Sequence, residues 1–435
     1  MKSESNSRFP EWPIWDERDV HAVESVIRSN NWWCGAPGTP AGRNVWELQK
    51  EFCAFQESNH CVAVANGTVA IELALLALGV GLGDEVILSD YTFVASASAV
   101  VGVNAVPVFC DIDPDTLLMD VNRVEQLVTS RTKAFIAVHL GGNPVDMEGL
   151  GAIAEKHGLH VIEDCAHAHG SRYRGRRVGS WGDAGTFSFQ ASKVLTAGEG
   201  GAVVCGDREL ADRIYTLSDC GRKKGEYFYS HYEYGSNCRM PELEAALLRT
   251  QLARFPAQHR LRNENARYLS SALNSIEGVR VMRPTEGAGE LGYYILPFVF
   301  DPAKFGGITK DEFSRKLNEA GIPTDDPYPP LHSLQCFKNL ALRKGIDYSN
   351  ANWGGAKSDD RNFPVVCDVY KRSVQLAHNV LLGGREELDY VADCVSGCGG
   401  KLKEAVKAAR RPRSPQRPVG FTVPLRHGHS TDRRS

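Results

Sequence analysis

A single lysine, Lys193, stands between a short apolar run and a glycine-rich turn in the stretch GTFSFQASKVLTAGEGG, residues 185–201. The run at 186–189 is typical of a β-strand, and the turn covers 198–201. A lysine partly buried at a strand end has a lowered pKa, so its neutral amine can attack a carbonyl carbon. Most lysines beside a turn are solvated, so this stretch alone does not separate a nucleophile from a surface residue.

Other residues with binding chemistry lie where predicted strands end. Gly67 and Thr68 come directly before a predicted helix, whose N-terminal backbone N–H groups and a threonine hydroxyl can bind a phosphate, although ordinary helix capping by Asn66 or Thr68 explains the same residues. Phe93 can stack on a planar ring, and Asp164 leaves a buried strand. Phosphate donors, a ring platform, a carboxylate and an amine are the groups that pyridoxal 5'-phosphate (PLP) requires. With Lys193, these residues predict a PLP site.

Alternating strands and helices must position these groups. The predicted strands alternate with predicted helices at 69–78, 94–101 and 150–157, and the strands themselves are 61–65, 85–88, 106–109, 134–139 and 159–162. This alternation favours a mostly parallel α/β sheet, whose ligand sites lie beyond the carboxyl ends of the strands. We therefore expect the candidate residues to meet at one edge of the sheet.

The second half of the chain has a different pattern, with longer helical periods before a smaller α/β unit. The predicted elements are helices at 242–252, 258–273, 310–320 and 386–395, and a strand at 293–300.

The overall composition bounds the class of protein. The 435 residues exceed what one core of about 250 to 300 residues holds, which favours two domains. The formal net charge of -3 lacks the basic excess of a nucleic-acid-binding domain, so we expect no nucleic-acid partner. No run of about 18 apolar residues occurs, so we expect no membrane association.

The 12 cysteines are dispersed without regular spacing, and the polar N-terminus lacks the apolar segment of a secretory leader. We therefore expect free thiols and a cytoplasmic location. Cys394 and Cys398 do not form a CxxC pair and have few histidines near them in sequence, so we assign no metal.

Taken together, these segments resemble the DegT/StrS-type sugar aminotransferases, PLP enzymes with the aspartate aminotransferase-like fold (PLP fold type I). The resemblance covers about residues 10–395, and its motifs are NGT at 66–68, YTFVA at 91–95, DIDP at 111–114, EDCAH at 163–167, FSF at 187–189 with Lys193, and GEGG at 198–201. It implies a large, mostly parallel-sheet α/β domain and a smaller C-terminal α/β domain. We expect an N-terminal arm at 1–14, a large PLP-binding domain at 15–255, a small domain at 256–400 and a disordered basic tail at 409–435.

The resemblance also implies roles for single residues. Lys193 is the lysine that bonds covalently to PLP, and Asp164 is the partner of the pyridine nitrogen. Phe93 is the aromatic that stacks on the ring. His167 takes a position beside the ring that is often glutamine in relatives.

Gly67, Thr68 and Ser188 match the phosphate-binding positions of the family. Asn237, in the segment GSNCRM at 235–240, resembles an asparagine that reaches the phosphate of the neighbouring subunit. The resemblance therefore implies a homodimer with shared active sites.

Three residues are candidates for substrate contact. Tyr328 and His332 lie in a proline-rich segment that resembles a loop near the substrate mouth, although a plain connector fits it equally well. Trp33, which follows Trp32, can line a pocket or an interface, but covering the core is the commoner use of such aromatics.

The family resemblance narrows the expected reaction. A dehydratase branch of the family carries histidine in place of the lysine, so Lys193 favours transamination. WW at 32–33, HAHG at 167–170 and FQ at 189–190 resemble keto-cyclitol aminotransferases and aminohydroxybenzoate synthases of antibiotic pathways. The segments 94–98 and 102–109 are similar to inosose aminotransferases. We expect amino transfer from an amino acid, by resemblance L-glutamine, to a keto-cyclitol such as scyllo-inosose or 2-deoxy-scyllo-inosose, in aminocyclitol antibiotic biosynthesis.

Three alternatives remain open at this point. The acceptor can be a nucleotide-linked keto-sugar, or the protein can be a 3-amino-5-hydroxybenzoate synthase, which is a PLP-dependent aromatising lyase. A PLP-binding regulator without turnover is the third, and the presence of Lys193 and Asp164 argues against it.

Overall fold

The computed structural model describes residues 8–34, 43–338 and 359–400. The predicted basic tail at 409–435 lies outside the described residues. All 12 cysteines are free thiols. Within the described ranges, no helix is both long enough and apolar enough to cross a membrane.

The strands form two main sheets and one short ribbon. In chain order they are β1 (His60–Val64), β2 (Glu85–Ser89), β3 (Val106–Cys110), β4 (Thr132–Val138), β5 (His160–Asp164), β6 (Arg172–Tyr173), β7 (Arg176–Arg177), β8 (Ala184–Ser188), β9 (Gly201–Cys205), β10 (Val279–Val281), β11 (Ile295–Phe300), β12 (Thr324–Asp325) and β13 (Ser373–Ala377).

Helices surround these sheets. They are α1 (Glu17–Ser29), α2 (Arg43–Gln56), α3 (Gly67–Ala77), α4 (Ala95–Gly102), α5 (Val121–Val124), α6 (Met147–His157), α7 (Arg208–Ser218), α8 (Glu242–Asn274), α9 (Lys310–Glu319), α10 (Gln335–Lys338), α11 (Pro364–Arg372) and α12 (Arg385–Gly397).

The larger sheet has seven strands in the order β1-β9-β8-β5-β4-β2-β3. Adjacent strands within β8-β5-β4-β2-β3 run parallel to each other, and β9 runs antiparallel to both β1 and β8. Every residue of β2, β3, β8 and β9 is buried, as expected for strands that are covered on both faces. The predicted mostly parallel sheet is confirmed.

The smaller sheet has four antiparallel strands in the order β10-β11-β13-β12. It has its own cluster of buried side chains, including Phe298, Phe300 and Phe313. Phe9 from the predicted N-terminal arm belongs to the same cluster and is only 2% exposed. The start of the described chain therefore packs against the second half of the protein.

One predicted break does not occur. The two helices expected at 242–252 and 258–273 are a single 33-residue helix, α8, with Pro256 inside it. An internal proline removes a hydrogen bond and costs about 3 kcal/mol. Burial of side chains on both sides of the proline, such as Leu252, Phe255 and Leu269, offsets that cost. The boundary predicted at residues 255 and 256 falls inside α8, and the division into domains remains a prediction.

Candidate active site

A cavity of about 670 Å³ opens at the carboxyl edge of the parallel strands. Residues at the ends of β4, β5 and β8 contribute to its wall, together with the first turn of α3. Eight of the predicted site residues line it: Gly67, Thr68, Phe93, Asp164, His167, Ser188, Lys193 and Tyr328. The expected convergence at one sheet edge is therefore observed.

Lys193 lies in the wall of this cavity with only 8% of its surface exposed. Burial lowers the pKa of Lys193 to about 8, and this effect outweighs the nearby carboxylates of Asp164 and Asp325, which raise it. The Lys193 Nζ atom lies 4.2 Å from the centre of the Tyr294 ring. Lys193 is thus a buried amine that loses its proton more readily than an ordinary lysine, and not a solvated surface residue.

Asp164 ends β5 and presents its carboxylate to the same cavity. Its Oδ2 accepts a hydrogen bond of 2.7 Å from Ser96 Oγ, and its Oδ1 accepts one of 3.1 Å from the Ala166 backbone N–H. Ser96 comes from α4, in the small-residue segment that follows Phe93. These two donors hold the carboxylate in one orientation.

His167 is a buried, neutral histidine at the cavity wall. Its Nδ1 accepts a hydrogen bond of 3.3 Å from the Gly141 N–H, so the ring proton is on Nε2, which donates to Tyr328 Oη at 3.3 Å. Burial, with a smaller contribution from the positive charge of Lys193, holds the pKa of His167 well below its usual value. The ring centre lies 4.1 Å from that of Tyr294.

The start of α3 explains why the sequence has glycine before Thr68. A Cβ atom at Gly67 would lie 2.7 Å from the Cβ of Ser188, so only glycine allows the helix N-terminus and Ser188 to approach this closely. Asn66 caps the helix by accepting from the Val69 N–H at 2.9 Å. Helix capping is therefore supplied by Asn66, while Gly67, Thr68 and Ser188 line the cavity.

The residues of the cavity fit PLP. A helix N-terminus with two nearby hydroxyl side chains suits a phosphate. The carboxylate of Asp164, oriented by Ser96, suits a protonated ring nitrogen, and the Lys193 amine suits an aldehyde. Phe93 is 51% exposed at the cavity wall, with its ring centre 5.8 Å from that of Tyr328.

Three predicted site residues do not line this cavity. Asn237 is exposed to solvent. Trp33 packs edge-on against Phe228, with ring centres 6.0 Å apart, beneath the guanidinium of Arg239. Both residues lie outside the cavity of their own chain.

His332 is the third, and the structure places its side chain outside this cavity. Its side chain is buried, its Nδ1 lies 2.5 Å from Asp90 Oδ2, and its ring stacks on Phe363 with centres 4.4 Å apart. The ion pair with Asp90 and the stacking turn the ring into the protein interior, away from the cavity.

Sequence reasoning missed Tyr294, which lines the cavity beside Lys193 and His167. It was assigned to a strand at 293–300, but β11 begins only at Ile295. Tyr293 has a positive φ of 46°, a conformation that side chains other than glycine rarely adopt. That irregular backbone places Tyr294 at the cavity and has no signature in the sequence pattern.

Comparisons with known proteins agree with this geometry. An L-glutamine:2-deoxy-scyllo-inosose aminotransferase of Streptoalloteichus tenebrarius is 37% identical over 400 residues, which cover 88% of this chain and 93% of the relative. The crystal structure of 3-amino-5-hydroxybenzoic acid synthase is similar with a TM-score of 0.82 at 33% identity, covering 91% of this chain and 99% of that one. The protein Spr1654 of Streptococcus pneumoniae, solved in a PLP-form, has a TM-score of 0.76 at 27% identity and covers 91% of this chain and 98% of its own.

These likenesses confirm the predicted PLP fold type I architecture, the PLP cofactor and the aminotransferase activity. The sequence model of one family matches residues 13–395, which is most of the chain. The protein belongs to the DegT/DnrJ/EryC1/StrS aminotransferase family.

Proposed function

We propose that this enzyme moves the amino group of L-glutamine to a keto-cyclitol of the 2-deoxy-scyllo-inosose type, as a step in aminocyclitol antibiotic biosynthesis. One observation carries the proposal. The Lys193 amine and the Asp164 carboxylate line a single cavity in a chain that is 37% identical to an L-glutamine:2-deoxy-scyllo-inosose aminotransferase.

We assign each cavity residue a part in holding the cofactor. The first turn of α3, with Gly67 and Thr68, binds the phosphate together with Ser188. Asp164 pairs with the ring nitrogen, because its carboxylate is oriented by Ser96. Phe93 and His167 flank the ring, and the neutral state of His167 adds no second positive charge beside Lys193.

PLP, when bound, supplies an aldehyde that condenses with amines and a ring that withdraws electrons. The Lys193 amine would hold the cofactor, since an amine is the group that condenses with such an aldehyde. When the amino donor occupies the site, the Nζ of Lys193 would accept a proton from the α-carbon of the donor as a general base, and it would deliver a proton as a general acid to the acceptor carbon that receives the amino group. A pKa of about 8 suits both roles, because general acid–base groups work best near the operating pH.

Polar groups at the cavity wall support a polyhydroxylated acceptor. The side chains of Gln190, Ser192, Tyr294 and Tyr328 all line the cavity, and each can hydrogen-bond a ring hydroxyl. We keep Tyr328 as a substrate contact, since its hydroxyl already accepts from His167 and has a proton left to donate. A site that bonds several hydroxyls also disfavours acceptors that lack them, because its buried polar groups would stay unpaired.

The acceptor is tested by assaying purified enzyme with L-glutamine and a panel of ketones. The panel contains 2-deoxy-scyllo-inosose, scyllo-inosose and a nucleotide-linked keto-sugar, and mass spectrometry detects the aminated products. We expect amination of the keto-cyclitols with the highest kcat/KM. A higher kcat/KM for the nucleotide-linked keto-sugar would contradict the proposal.

A second candidate is favoured by one observation, the TM-score of 0.82 with 3-amino-5-hydroxybenzoic acid synthase. That activity produces an aromatic amine, so its product has an ultraviolet absorbance that an aminocyclitol lacks. Formation of 3-amino-5-hydroxybenzoate by this enzyme, without turnover of any keto-cyclitol, would replace the proposed function with this one.

We also propose that two copies share their active sites, with Asn237 of one subunit reaching the phosphate site of the other. The exposed position of Asn237 supports this, because its amide is accessible to a second chain. Mixing inactive K193A subunits with N237A subunits tests it. A hybrid dimer then contains one site with both native residues, so mixing restores activity above the sum of the separate variants. No restoration after subunit exchange would contradict shared sites.

A further inference from the structure

In the two peptide units that precede Lys193, both the N–H and the C=O groups are hydrogen-bonded. In the plane between Ala191 and Ser192, the Ser192 N–H donates to Gln190 Oε1 at 2.8 Å, and the Ala191 carbonyl accepts from Trp12 Nε1 at 3.1 Å. In the plane between Ser192 and Lys193, the Lys193 N–H donates to the Gln190 carbonyl at 2.8 Å. The Ser192 carbonyl accepts a hydrogen bond from His378.

The two carbonyl contacts come from distant parts of the chain. Trp12 lies in the N-terminal arm, 179 residues before Ala191. His378 follows β13 of the small sheet, 186 residues after Ser192, and its Nε2 lies 3.0 Å from the Ser192 oxygen. The rings of Trp12 and His378 meet edge-to-face with centres 4.5 Å apart. The arm and the small-sheet region thus meet on the segment that carries Lys193.

Arg262 of α8 sets the direction of the His378 hydrogen bond. Its Nη2 lies 3.2 Å from His378 Nδ1, and since a guanidinium only donates, Nδ1 accepts. The ring proton is therefore on Nε2, where it is donated to the Ser192 carbonyl. The Arg262 side chain is fully buried, and its guanidinium also lies 5.2 Å from the centre of the Trp12 ring.

We propose that Trp12 and His378 are positioning residues that orient the Lys193 amine by fixing the carbonyl groups of Ala191 and Ser192, with Arg262 selecting the required His378 tautomer. Because peptide units are planar, fixing both ends of two successive units leaves the Lys193 backbone little freedom to rotate. The inference rests on the proposed role of Lys193 as the reacting amine, and it does not depend on the identity of the acceptor.

The test uses the holoenzyme and compares H378F with H378Q. Phenylalanine keeps an aromatic ring between Trp12 and Tyr294 but has no donor for the Ser192 carbonyl, whereas glutamine keeps an N–H donor. We expect H378F to lower kcat on the order of tenfold or more with little change in KM, since small misplacements of a reacting group are costly. We expect H378Q to recover most of that loss.

A spectroscopic readout separates positioning from general loss of structure. The visible absorbance of the bound cofactor changes with pH as the group formed with Lys193 gains or loses its proton. We expect H378F to shift the pH midpoint of that change and H378Q to restore it. Thermal unfolding of each variant, measured in parallel, reports stability separately.

Trp12→Phe removes the donor to the Ala191 carbonyl and keeps the aromatic packing, so we expect a loss of kcat in the same direction as H378F. Asn379→Ala is the matched control. Asn379 Nδ2 donates to the Pro10 carbonyl at 3.0 Å, so this variant weakens the contact with the same arm without touching the Lys193 segment. We expect N379A to keep the wild-type kcat and absorbance midpoint.

Arg262→Met tests the tautomer step. If Arg262 acts through His378, adding R262M to H378F lowers kcat little further than H378F alone, so the effects of the two changes are not additive. Independent losses that add in the double variant would contradict this part of the proposal.

The main proposal is overturned if H378F and W12F keep the wild-type kcat and absorbance midpoint, or if H378Q loses as much activity as H378F. An N379A loss equal to that of W12F would also overturn it. If H378F does not fold, the kcat values of W12F and N379A test the proposal instead. Equal values for these two variants would overturn it. If the wild-type enzyme aminates no keto-cyclitol, only the proposed acceptor is rejected. The pH midpoints of cofactor absorbance need no acceptor, so they still test the positioning of Lys193 in each variant.

Discussion

The two walls of the active-site cavity differ in how the chain builds them. The sheet wall consists of residues at strand ends, such as Asp164 at the end of β5 and Ser188 at the end of β8. The opposite wall comes from the second half of the chain, with Tyr294 before β11 and Tyr328 after β12. The sheet wall holds the Lys193 amine and the Asp164 carboxylate, while Tyr294 of the second wall lies beside Lys193. This difference predicts that substitutions in the sheet wall cost more activity than those in the second wall.

The largest effect is expected for Lys193→Ala. Removing the amine deletes both the covalent anchor and the general base, so we expect turnover to be abolished together with the visible absorbance of the cofactor bound through Lys193. Steady-state assays and an absorbance spectrum measure this. The control is K133A, which removes an exposed lysine of β4. Near-normal turnover in K193A would show that Lys193 is not the reacting amine, which contradicts the catalytic role of the sheet wall.

Asp164→Asn comes next. The substitution keeps the size of the side chain and the bond from Ser96 but removes the negative charge. We expect kcat to fall roughly 10²- to 10³-fold, as for the loss of other electrostatic stabilisers in active sites. Stopped-flow measurement of the reaction with L-glutamine isolates this step. A smaller loss of kcat in D164N than in the second-wall variants would show that the sheet wall is not the more important wall for activity.

Tyr294→Phe probes the second wall. It removes the hydroxyl that lies 2.9 Å from Ser192 Oγ and keeps the ring beside Lys193. Because one hydrogen bond contributes about 0.5 to 1.5 kcal/mol, we expect a loss of roughly two- to tenfold in kcat/KM. Steady-state kinetics with both substrates measures it. A loss as large as that of D164N would give the Tyr294 hydroxyl a direct part in the chemistry.

The smallest effect is a dependence of stability on pH. The pKa of Lys193 is about 8 in the folded protein against 10.5 for an ordinary lysine, because the charged form is disfavoured by burial. Between these values the unfolded chain binds more protons than the folded chain, so the free energy of unfolding rises with pH across this window.

K193M isolates this contribution, since methionine has a similar shape and no charge. In cofactor-free protein, we expect K193M to be more stable than wild type below pH 8, and the difference to shrink as the pH rises toward 10.5. Urea unfolding of both proteins across the window measures the difference. A difference that does not change with pH would show that Lys193 titrates normally.

Most of the sheet wall could be predicted because its residues occur in short, ordered motifs. A strand followed by Gly67-Thr68, or by Asp164, places a known side chain at a known sheet edge, whatever the rest of the chain does. The same reasoning gave the mostly parallel sheet and the convergence of these residues on one cavity. Ser96 was missed although it lies in the segment after Phe93, because only the structure brings its hydroxyl to Asp164.

The second wall could be predicted only in part. Tyr328 lies in the cavity, but His332, four residues later, pairs with Asp90 across 242 residues of sequence. The local pattern cannot distinguish these two side chains. The break expected between the helices at 242–252 and 258–273 was wrong for a similar reason, since tertiary burial along α8 offsets the local penalty of Pro256.

The sequence by itself determined which reactive groups meet at the cavity, because Lys193, Asp164 and the Gly67-Thr68 turn each follow a strand whose burial is evident from its apolar run. Only the tertiary structure decided how the Lys193 amine is buried and held. Trp12, Tyr294 and His378 reach that segment from elements far away in sequence, and Arg262 contacts His378. Such contacts depend on how the arm and the small sheet pack against the large sheet, and no local pattern of residues encodes that packing.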